Sequence, residues 1–155
     1  MATYGTTERC TGGTASADSV GDGLVAANAF DDNATTRWRA NYGTFPHWIK
    51  YDFGAGVFWR ISKVTVKCLN YSTNTAMTDF TVQGSNNDTD YTVIYTGVHA
   101  DNENVQTFTF TNKTAYRYIK INITTGVSAE KVGDIAELEM FEGIYPGGLF
   151  LSNLT

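Results

Sequence analysis

I-S-K-V-T-V-K-C-L, residues 61–69, alternates. Val64, Val66 and Cys68 fall on one face of an extended chain, and Lys63, Thr65 and Lys67 on the other. A period of two marks a strand with one side buried and one side wet, because successive side chains point to opposite faces. The period recurs in W-I-K-Y-D-F (48–53), where Ile49, Tyr51 and Phe53 oppose Lys50 and Asp52. It recurs again over 116–123, which aligns Ile119, Ile121 and Ile123, and over 135–141, which aligns Leu138 and Met140. Residues 80–85, 91–96 and 105–110 read as further strands, and 14–25 holds at most one short one. No helical period separates them. Short, closely spaced alternating strands of this kind predict an all-β fold, an antiparallel jelly-roll β-sandwich.

The totals agree. At 155 residues the chain is long enough for one domain with its own core. Thr and Asn are abundant, and the strong helix formers do not dominate. We expect a flexible lead-in over 1–13, the sandwich over 14–143 and a tail or linker over 144–155. The tail reads I-Y-P-G-G-L-F-L-S-N-L-T, and its apolar end suits docking on this domain, on another subunit or on a larger parent protein. Net charge is −5 and no Lys/Arg run stands out, which argues against nucleic acid and against an anionic membrane as partners. The N-terminus has no apolar run of the signal-peptide kind. That leaves an intracellular or virion protein, or a piece of a larger exported one; our expectation is an extracellular, cell-surface or virion-surface component. Cys10 and Cys68 do not settle the redox compartment, but Cys68 lies on an inward face and reads as a buried free thiol.

One loop stands apart. A-N-A-F-D-D-N-A-T-T-R-W (27–38) packs two carboxylates, two asparagines and two threonines between apolar anchors. Such an oxygen-rich loop suits a hard cation such as calcium, although its spacing is not that of an EF-hand. The same residues also make an ordinary Asx-rich surface turn. Antiparallel strands reverse direction, so alternate loops share an end. Counting along the chain gathers 39–47, 70–78, 97–104 and 124–134 at one end, with Glu137 at the start of the last strand beside them. Glu137 can therefore complete the shell of a cation held by the Asp31 loop. Loops 54–60, 86–90 and 111–115 fall at the opposite end, where Phe58 and Trp59 form either a core plug or an interface.

Nothing in the chain reads as an enzyme. The two histidines, His47 and His99, lie in no nucleophile or metal-hydrolase motif. The carboxylate pairs Asp31–Asp32 and Glu137–Glu139 are better assigned to the cation and to strand exteriors than to glycosidase chemistry.

Six segments in order resemble the discoidin family, the coagulation factor 5/8 C-type domain, which includes the family 32 carbohydrate-binding modules. They are A-F-D-D-N-A-T-T-R-W (29–38), P-H-W-I-K-Y-D-F-G (46–54), I-S-K-V-T-V (61–66), F-T-V-Q-G-S-N (80–86), Y-R-Y-I-K-I (116–121) and I-A-E-L-E-M-F (135–141). The resemblance implies a galactose-binding-domain-like jelly roll with one structural calcium. Its ligands here would be the Asn28 and Asn33 carbonyls, the Asp31 carboxylate, Thr36 through hydroxyl and carbonyl, the Ala136 carbonyl and the Glu137 carboxylate. Asp32 stands where the family usually has Gly, which adds a charge near the site or changes the turn.

The resemblance also implies a glycan as partner, bound by loops at one end. A sugar ring asks for an aromatic face and planar polar groups. Arg39, Asn41, Tyr42, Phe45, His47, Asn70, Tyr71 and Asn74 are the candidates. Loop packing is the alternative for the aromatics, and a surface salt bridge the better reading of Arg39. The family's Pro-His-Trp pattern gives His47 a packing or supporting role. The arginine with which family members contact galactose is missing: Cys68-Leu69-Asn70-Tyr71 stands there, which puts a simple galactose specificity in doubt. We expect a non-catalytic carbohydrate-binding module. The alternatives are an adhesin or viral fibre domain, and a structural module that docks a protein.

Overall fold

In the computed structural model the described residues are 3–69, 75–100, 102–127 and 132–145. Their strands are β1 (Thr3–Glu8), β2 (Thr14–Ala17), β3 (Trp38–Arg39), β4 (His47–Asp52), β5 (Ile61–Lys67), β6 (Asp79–Ser85), β7 (Thr92–Val98), β8 (Gln106–Thr109), β9 (Tyr118–Ile123), β10 (Asp134–Ile135) and β11 (Glu137–Ile144). A short 3-10 turn, Ala26–Phe30, precedes β3, and no α-helix occurs among the described residues. One sheet has the order β1-β11-β5-β8 and the other β2-β4-β9-β6-β7, with all pairings antiparallel. The two sheets face each other as a sandwich.

The alternating residues fill the space between the sheets. Ile49, Val64, Val66, Cys68, Phe80, Val82, Ile119, Ile121, Ile123 and Met140 are wholly buried. Phe80 meets Phe108 edge to face with centroids 5.0 Å apart, a favoured aromatic geometry. Both cysteines are buried free thiols.

Three expectations need correction. The stretch 3–13 of the expected flexible lead-in is instead tied to the sandwich, because β1 pairs with the edge of β11. T-Y-G-T-T-E carries no alternating apolar residues, so its order comes from the backbone ladder. Arg9 extends this contact, with its guanidinium 4.0 Å above the Trp59 ring and an ion pair of 3.2 Å to Glu142. Next, the loop expected over 39–47 begins inside a strand pair. β3 joins β10, and Trp38, Arg39 and Ala40 are all buried. Finally, the sandwich continues past 143. Ile144 closes β11, and the Tyr145 hydroxyl lies 2.8 Å from Ser62 Oγ and accepts the Asn112 backbone N–H at 2.9 Å. The rest of the expected tail, with its Leu-Phe-Leu run, lies outside the described residues.

The chain switches sheets at Ala136. β10 pairs with β3, whereas β11 pairs with β5 from Glu137↔Lys67 onward. Glu137 therefore stands where β5 ends. At the same end of the sandwich lie the start of β4 and the end of β9, in the register His47↔Ile123. Ala40 N donates to Gly133 O at 2.9 Å and Val127 N to Ala76 O at 3.0 Å, binding the loops there to one another. At the opposite end the Phe58–Trp59 pair divides. Trp59 packs against the core beneath Arg9, and Phe58 is 49% exposed.

Candidate functional site

The 3-10 turn Ala26–Phe30 buries Ala26 and Ala29 and sets Phe30 against Tyr51, centroids 4.9 Å apart. Trp38 anchors the far end, fully buried, with Nε1 donating to Ser19 O at 2.9 Å. Between these anchors the oxygen-rich loop closes on itself. The Thr36 hydroxyl lies 2.9 and 2.8 Å from the two Asp31 carboxylate oxygens, 2.8 Å from Asn33 O and 3.4 Å from Asn28 O. A hydroxyl has one proton to give, so this knot holds more lone pairs than hydrogens. Asn28 Nδ2 donates to Arg37 O at 2.9 Å, and Asn33 N donates to Asp31 Oδ1 at 3.0 Å, which fixes the loop's shape.

Glu137 approaches from β11. The Asp32 backbone N–H bonds to its carboxylate, yet its Oε2 is buried with no hydrogen-bond partner. Burial, then the charges of Asp31, Asp32 and Glu139, push the Glu137 carboxyl up to about 7. An orphaned carboxylate oxygen facing a loop rich in oxygen acceptors fits a hard cation, which takes carboxylate, carbonyl and hydroxyl oxygens together. Among the described residues no three His, Cys, Asp or Glu side chains form a metal cluster. This donor set is of the other kind, with two carboxylates and the remainder carbonyl and hydroxyl. Asp32 has φ 57°, in the left-handed region, so the turn keeps a glycine-like backbone while its carboxylate adds to the local negative charge.

A pH dependence follows. The folded protein raises the Glu137 pKa above its unfolded value, so the protonated form is the one the cation-free fold favours. Its contribution is complete below about pH 4.5 and is lost as pH rises through about 7. In chelator, the Tm is expected to fall by several degrees over that window beyond the fall seen for Glu137→Gln. Parallel pH profiles for the two proteins would show that Glu137 does not titrate as described.

The other described candidates gather at the same end, from β3 through the following loop to the start of β4. Tyr42 is 61% exposed. The Arg39 guanidinium sits 5.3 Å from its ring centroid and is ion-paired to Asp22. Arg39 is itself buried while Asp22 is exposed, so the anticipated salt bridge forms at the surface with its cation turned inward. Asn41 is exposed, and its backbone N–H donates to Ser19 Oγ at 3.1 Å. Phe45 is half-buried against the core and edge-on to His47, centroids 5.4 Å apart. His47 is buried, with Nδ1 2.7 Å from Asp18 Oδ2. Asn70, Tyr71 and Asn74 lie outside the described residues.

The structure adds a wall that sequence reasoning missed, the stretch 18–24. Asp18 holds His47 and accepts the Trp48 backbone N–H at 3.0 Å, Ser19 holds Asn41, and Asp22 holds Arg39. Its Gly21 lies against β3, where an added Cβ would come within 2.6 Å of Ala40 O. The only hint in the sequence is the small and acidic composition of A-D-S-V-G-D-G.

Known proteins share this architecture. Residues 13–138 match the F5/8 type C domain. A family 32 carbohydrate-binding module from Clostridium perfringens NanJ, solved in complex with galactose, superposes with a TM-score of 0.75 at 25% identity, covering 92% of this chain and 100% of that one. Chitosan-binding module 1 from a Paenibacillus sp. IK-5 chitosanase/glucanase gives 0.71 at 26% identity, covering 86% and 98%. The family 32 module of AlyQ, in complex with 4,5-unsaturated mannuronic acid, gives 0.66 at 25% identity, covering 83% and 93%. No curated protein sequence matches the chain.

Proposed function

Since the chain belongs to the F5/8 type C domain family, we propose that it is a non-catalytic carbohydrate-binding module that takes a glycan on the loops beside Tyr42. The observation that carries this reading is the exposed Tyr42 ring, backed by the buried Arg39, which pairs with the exposed Asp22, and flanked by Asn41. An aromatic face for the C–H side of a sugar with polar groups at its rim is the pattern such a ligand requires. The sugars bound by similar modules, galactose and an unsaturated mannuronic acid, support the ligand class. Similar modules occur within longer enzymes, an alginate lyase and a family 89 glycoside hydrolase, which supports a larger parent protein as the chain's context.

We further propose a structural calcium held by Asp31, Thr36 and Glu137 with the Asn28, Asn33 and Ala136 carbonyls. The surplus of acceptor oxygens around Thr36 and the orphaned Glu137 Oε2 support it. Calcium supplies charge neutralisation and coordination there, tying the 27–38 loop to β11 beneath the glycan-binding end. It takes no part in chemistry.

The test is a titration with galactose- and N-acetylgalactosamine-terminated oligosaccharides. Tyr42→Ala is expected to weaken binding at least tenfold, about 1.4 kcal/mol, with an unchanged melt because the side chain is exposed. Equal affinity in the variant would remove Tyr42 from the site.

A further inference from the structure

A cleft lies on the outer face of the five-stranded sheet, running from Trp48 near the start of β4 to the turn between β6 and β7. β4 alternates buried and half-buried residues, which turns Trp48, Lys50 and Asp52 outward. Lys50 pairs directly with Lys120 of β9, so two ammonium groups stand side by side on this face. Like charges placed opposite each other across a strand pair repel. The β6–β7 turn folds over them. Asp88, with φ 61°, sets both carboxylate oxygens 2.5 Å from Lys50 Nζ and accepts the Tyr91 hydroxyl at 2.5 Å. Lys50 is thereby neutralised. Lys120 has no carboxylate ion-paired with it among the described residues, and its Nζ rests 3.6 Å from the Tyr91 ring centroid. Farther along the sheet Asp52 and Arg117 cancel each other at 2.7 Å. The cleft thus carries one uncompensated positive charge on a protein whose net charge is −5.

Its walls are Trp48, Lys50, Asp88, Thr89, Tyr91 and Lys120, around a volume of about 280 Å³. That lies near the lower end of ligand pockets, roughly 300–1,000 Å³, and suits one sugar ring better than a chain. Trp48 and Tyr91 offer aromatic surface, and Thr89 offers a hydroxyl. Burial, then the neighbouring Lys50, hold the Lys120 ammonium below its ordinary value, so an anion placed beside it is favoured.

We propose that this cleft is a second saccharide site, specific for an acidic sugar whose carboxylate pairs with Lys120 while its ring lies against Trp48. The ligand class rests on the carbohydrate-binding reading above; the position and charge preference do not depend on the Tyr42 loops.

The test is an NMR titration of the whole chain with a galacturonic acid trimer, a neutral galactose trimer and inorganic sulfate. The acidic trimer is expected to shift the Trp48 indole N–H. Lys120→Gln should weaken it at least tenfold, Lys120→Arg should retain it, and Tyr42→Ala should leave it unchanged. Lys120 is half-exposed on a strand, and an unaltered melt confirms that the variant folds. No shift of the Trp48 indole, a shift indifferent to Lys120→Gln, loss on Tyr42→Ala, or equal displacement by sulfate would each overturn the proposal. Neutral-trimer binding that needs Tyr42, without acidic binding at Trp48, would sink the second site alone. The reverse would sink the Tyr42 site alone.

Discussion

Transferred from calcium into chelator, the chain is expected to lose about 5–10 °C of Tm. A ligand that binds only the native state at a hundred times its Kd contributes about 2.7 kcal/mol, and a domain of this size shifts by roughly 2–4 °C per kcal/mol. The physical cause is local. Without a cation, Glu137 faces Asp31 and Asp32 with Oε2 unpartnered, and the Thr36 hydroxyl cannot satisfy the acceptors around it. Glu137→Gln removes the repulsion and a ligand together, so its melt should respond little to chelator. Calorimetry of both proteins with calcium, with magnesium and in chelator decides it. Magnesium should restore less, since it demands a tighter octahedral shell and sheds water reluctantly. An unchanged wild-type melt in chelator would remove the cation from the account.

Trp38→Ala is expected to cost about 3–5 kcal/mol, a large part of the 5–15 kcal/mol by which domains are stable. Trp38 is the largest wholly buried side chain among the described residues and closes the 27–38 loop. Its indole also donates to Ser19 O, so it ties the loop to the 18–24 wall. Truncation leaves a cavity and an unpaired carbonyl. Trp38→Phe keeps most of the volume and loses the hydrogen bond, which predicts a smaller cost of about 1–2 kcal/mol. Urea unfolding of the two variants separates these effects. A Trp38→Ala protein within 1 kcal/mol of the wild type would show that β3 does not anchor this end.

The strands were legible because their faces are unequal. Val64, Val66 and Cys68, or Ile119, Ile121 and Ile123, announce a buried side by period alone, and all six are fully buried. The nearness of Glu137 to the Asp31 loop was also legible, since strand parity alone puts both at one end. β1 was not, because T-Y-G-T-T-E is held by backbone pairing, which leaves no side-chain pattern. Asp18, Ser19 and Asp22 were hidden for a related reason. Their partners His47, Trp48, Asn41 and Arg39 lie on a different stretch of chain, and no local spacing records a tertiary hydrogen bond. Arg39 looked like a surface cation until β3 was found paired to β10, which buries it.

The central claim is that the loops around Tyr42 bind a glycan and that the neighbouring cation loop holds them in shape. A glycan array probed with the purified chain, in calcium and again in chelator, tests it most directly. The account predicts saturable binding to a defined group of glycans in calcium and a marked loss of signal in chelator. An array without hits in calcium would contradict it and turn attention to the exposed Phe58 as part of a protein-docking surface.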